Sequence, residues 1–188
     1  LPRKGMLFFF LQTIHSIYGS NHNAGKVIYC EDISTLSSGK RFQFTTDDYS
    51  EMYDAAYYAS KVEAFKMNSV PSFYAAHVNK HLFLGEAEKL KDNERFLQDL
   101  YDTFERPMEE NNSRHYAVNN RGFTQHEAPE LQASLEKKGN PQDWMTLLSL
   151  NSVEDMQWGD AGELFFVIHK SDLAKCDFSN VFVTMESS

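Results

Sequence analysis

Trp158-Gly159-Asp160-Ala161-Gly162 places an aromatic surface, a carboxylate and two glycines within five residues. Together they could make a small ligand site, because a backbone without side chains at Gly159 and Gly162 allows close approach. The same residues suit a tight turn, in which Asp160 bonds backbone amides and Trp158 packs beneath. Gln125 and His126 could bring an amide and an imidazole to the same cleft, and His169 a second imidazole. A carboxylate beside an imidazole that titrates near neutrality is acid–base equipment, so a hydrolase-type reaction is the chemistry to test there. His115 and His126 flank an Asn-rich stretch, and Glu127 adjoins the second, a further possible base or ligand cluster. His77 and His81 have the i, i+4 spacing of a helical zinc pair, but Val78 follows His77 where the protease motif has glutamate. No metal site and no cofactor is expected. No nucleophile elbow and no phosphate-cradling Gly-rich loop occurs, and nothing near Cys30 or Cys176 would activate a thiolate.

Charge narrows the partners. The chain carries 18 Lys and Arg against 27 Asp and Glu, a formal net charge of -9. Such a surface repels phosphate backbones and anionic bilayers, so neither nucleic acid nor a membrane is an expected partner. A basic protein would be attracted. Two cysteines with no CxxC pair make no disulfide framework and suit a cytoplasmic protein with reduced thiols. No apolar run approaches the length of a membrane span.

The elements that must position these residues begin with a repeated phrase. Gly5-Met6-Leu7-Phe8-Phe9-Phe10-Leu11-Gln12 is echoed by Gly162-Glu163-Leu164-Phe165-Phe166-Val167-Ile168-His169. Each copy is followed by a second apolar run, Val27-Ile28-Tyr29-Cys30 and Val181-Phe182-Val183. This pattern predicts two related strand units, at about 5–31 and 162–185, that cover each other's apolar faces. Alternation of Phe42 and Phe44 predicts a strand over 41–45, and a helix is expected to start at Thr46. Val62–Met67 reads as a strand. Leu90, Leu97, Leu100, Tyr101 and Phe104 make one stripe of a helix over 86–106, with an acidic opposite face. Glu109–Asn120 reads as an exposed loop, Ala128–Lys138 as a helix stopped by Gly139 and Pro141, and Met145–Leu150 as a strand.

Several phrases carry a family resemblance. Trp144-Met145-Thr146-Leu147-Leu148, Met156 to Phe166 with its Trp-Gly-Asp-Ala-Gly centre, Ser171-Asp172-Leu173 and Asp177-Phe178-Ser179 resemble the YwqG-like family, bacterial domains of unknown function. Gly122-Phe123-Thr124-Gln125, Leu1-Pro2 to Phe10 and Lys26-Val27-Ile28-Tyr29 also fit its pattern. The likeness departs in two places: Arg114–Arg121 lacks a glycine pair, and Leu148–Ser152 has Ser and Asn where Gln and Asp are usual. Family members usually carry an upstream segment before the point equivalent to Leu1, so the first unit is expected to be incomplete.

The resemblance implies a single mainly-β domain over 1–188, a β-rich α+β fold. Its body would be an internally duplicated roll or sandwich with two or three inserted helices. It supplies no catalytic residue. The functional expectation is a non-enzymatic protein-binding module, for which the family suggests at most an immunity-like role, blocking a toxin by binding it. The alternative is a small-ligand binder or hydrolase-type enzyme using Trp158, Asp160, Gln125, His126 and His169.

Overall fold

The computed structural model describes residues 1–11, 25–39, 61–64, 66, 99, 102–103, 106, 116–120, 126–153 and 156–187. Six strands and two helices lie in them: β1 Met6–Leu11, β2 Gly25–Cys30, β3 Tyr116–Asn120, α1 Pro129–Lys137, β4 Trp144–Asn151, β5 Glu163–His169, α2 Lys170–Ala174 and β6 Phe182–Glu186. The strands form two antiparallel sheets, one of β1 and β2, the other in the order β3-β4-β5-β6. The fold is therefore β-rich α+β.

The two copies of the repeated phrase become β1 and β5, and each pairs with its own following strand. The registers correspond. Leu7↔Tyr29, Phe8↔Ile28, Phe9↔Val27 and Phe10↔Lys26 match Leu164↔Met185, Phe165↔Thr184, Phe166↔Val183 and Val167↔Phe182. Val27 is thus the counterpart of Val183 rather than of Val181. Equivalent phenylalanines meet where the units pack: the Phe9 and Phe166 rings lie 5.2 Å apart, edge to face.

Strand alternation decides which side chains meet. Leu7, Phe9, Leu11, Val27 and Tyr29 pack with Leu148, Leu164, Phe166, Ile168 and Val183 in one core layer between the sheets. The opposite face of the larger sheet presents Trp144, Phe165, Val167 and Phe182 to Ala133 of α1. The order of layers is hairpin, sheet, helix. β5 is buried on both sides, which explains its nearly unbroken apolar sequence. Gly25 lets the hairpin close onto the sheet, because a Cβ there would run into Val183 and Phe166.

α1 starts without a side-chain cap, but Pro129 in its first turn has the helical φ built in. It ends where Lys138 and Gly139 adopt positive φ of 62° and 140°. Its first-turn Glu130 is fully buried and accepts a hydrogen bond from the buried Thr146 hydroxyl at 2.9 Å. Gln132 accepts another from Thr184. These two bonds fix how α1 sits across β4 and β6.

Two expectations need correction. The end of the Asn-rich stretch is β3, not loop. Tyr116, Ala117 and Val118 pair with Leu150, Ser149 and Leu148, and Asn120 pairs with Thr146. Among the described residues β3 has one neighbour, and a strand at a sheet edge tolerates polar, exposed residues, so hydrophobic alternation is weak there. Residues 61–64 and 66 lie in no strand, and Val62 is exposed. The strand expected at 41–45, the helix expected from Thr46, and nearly all of the helix expected over 86–106 lie outside the described residues.

Candidate functional site

The Trp158–Gly162 segment connects the end of β4 to β5 as a tight loop held at both ends. The Gly162 amide donates to the Trp158 carbonyl at 2.8 Å, closing the turn. Gly159 and Ala161 sit at φ 63° and 51°, the left-handed region that glycine enters freely and alanine enters at a cost. Ser152 binds the loop from outside. Its hydroxyl accepts from the Trp158 amide at 2.8 Å and donates to the Gly162 carbonyl at 2.9 Å. The Ser152 amide donates to the same carbonyl at 3.0 Å. Trp158 is buried within the core layer under the hairpin, and Asp160 points outward, exposed. The aromatic ring is therefore part of the packing. The groups that the turn offers to solvent are its backbone and the Asp160 carboxylate.

Gly162 is also where the loop meets the end of β6. A Cβ at Gly162 would collide with the carbonyls of Glu186 and Trp158. The Glu186 carboxylate, nearly buried, accepts from the His126 backbone amide, and the His126 Nδ1 stands 3.7 Å from it. Glu163 lies directly opposite Glu186 in the β5–β6 register, and Asn151 lies opposite Glu163 on the other side. One end of the sheet thus gathers Glu163, Glu186 and the imidazole of His126 on neighbouring elements.

His169 lies elsewhere. It ends β5, six residues from Glu163, which at about 3.3 Å per residue is about 20 Å along the strand. Its Nδ1 caps α2 by accepting from the Ser171 amide at 3.3 Å, and lies 2.8 Å from the Ser171 hydroxyl. Its ring stands edge-on to Trp144 at 5.2 Å. The structure therefore places His126 against Glu186, whose backbone carbonyl adjoins Gly162, and puts His169 at the opposite end of β5. Gln125, His77, His81 and His115 lie outside the described residues.

Ser152 and Glu186 hold this corner together, yet sequence reasoning passed over both. Ser152 was visible only as a departure from the usual family phrase. Glu186 gave no signal, because its partner His126 is 60 positions away. Among the described residues no group of three or more His, Cys, Asp or Glu has the arrangement of a metal site. Cys30 and Cys176 are free thiols. Among the described residues no helix is long and apolar enough to cross a membrane.

A duplicated hairpin packed on a four-stranded sheet, with a hydrogen-bonded Trp-Gly-Asp-Ala-Gly loop at one end, defines a β-rich α+β domain. The chain belongs to the family described as Domain of unknown function (DUF1963), whose pattern matches residues 1–186. Among curated proteins, none matches the chain.

Proposed function

We propose that this chain is a single YwqG-like domain, bacterial and cytoplasmic, that works as a non-enzymatic protein-binding module. The observation that carries this reading is the outer face of the β1–β2 hairpin. Met6 and Phe10 on β1 and Ile28 on β2 are exposed at 44, 51 and 41%. They project on the side away from the core, and adjacent exposed large apolar residues on one sheet face are the usual mark of an interaction surface. The candidate catalytic residues, by contrast, have structural work. Trp158 packs in the core, His169 caps α2, and the His126 amide is bonded to Glu186. An immunity-like blocking role is a narrower form of this reading and rests on the family resemblance alone.

The test is a pull-down from lysate of the source cells at about 10 µM bait, a concentration that captures micromolar partners. Wild type and Phe10→Glu are compared. A protein retained by wild type and lost with Phe10→Glu supports the reading. Capture of nothing, or equal capture by both, counts against it.

A second reading keeps the small-ligand alternative. Its supporting observation is that Glu163, Glu186 and His126 meet at one end of the sheet, where the Glu186 carbonyl adjoins Gly162 of the loop that carries Asp160. Ligand-observed NMR against a fragment set decides it: binding that Asp160→Ala removes would favour a ligand site, and binding unaffected by that change would dismiss it.

A further inference from the structure

We draw no further inference here: the strongest candidate, the exposed apolar face of the β1–β2 hairpin formed by Met6, Phe10 and Ile28, carries nothing beyond the protein-binding reading above, because nothing in the structure shows what covers it.

Discussion

Ser152 illustrates how much one side chain can hold. Its hydroxyl bridges the first and last residues of the Trp158–Gly162 loop, so Ser152→Ala leaves a carbonyl and an amide without that partner. The expected cost is about 1–3 kcal/mol, read as a lower urea midpoint by tryptophan fluorescence. Ser152→Thr keeps the hydroxyl and should recover most of the loss. At the other end of the molecule, Asp32 caps the short 3-10 turn Ile33–Thr35. Bonds from the Ser34 hydroxyl and then the Ser34 amide hold its carboxyl below the ordinary value of 3.8. A depressed carboxyl stabilises the fold above its unfolded value, and that contribution disappears as pH falls through the lowered value. NMR titration should show the Asp32 carboxyl protonating below 3.8, and Ser34→Ala should move the transition upward. A midpoint unaffected by Ser34→Ala would contradict the cap.

Elements depend on how closely the hairpin meets the sheet. Gly25→Ala forces a methyl against Val183 and Phe166, and overpacking of this kind costs about 1–3 kcal/mol. Phe166→Ala empties a fully buried site in β5 and should cost about 3–5 kcal/mol. A double-mutant cycle between Phe9 and Phe166 should return a coupling of about 0.5–1.5 kcal/mol, the range for edge-to-face rings. No coupling in urea denaturation would mean that the hairpin unfolds apart from the sheet. At this scale the sequence was legible where burial was strong. β1, β2, α1, β4 and β5 were readable because one or both faces are apolar. β3 was not, because Tyr116, Val118 and Asn119 face solvent and the strand exists through backbone pairing with β4. α2 is one turn, formed by local capping at His169, and too short for any periodicity to show.

For the whole molecule, the pull-down asks whether the outer face of the β1–β2 hairpin, where Met6, Phe10 and Ile28 are exposed, is where the protein works. The repeated Gly-x-Leu-Phe-Phe phrase announced duplication, and composition announced a β-rich, acidic chain. Those properties lie in the order and type of residues, so the sequence alone determined them. The candidate site was only half legible. The Trp-Gly-Asp-Ala-Gly turn could be read as a unit, because glycine spacing is a local property. That His126 meets Glu186 at the end of β6 while His169 lies at the far end of β5 was decided by tertiary structure, since strand pairing sets which distant residues share an end of the sheet. That one hairpin lies under a helix while its twin shows Phe10 and Ile28 to solvent was decided there too. Two nearly identical phrases carry the same local preferences, and only the packing of other elements against them makes one core and the other surface.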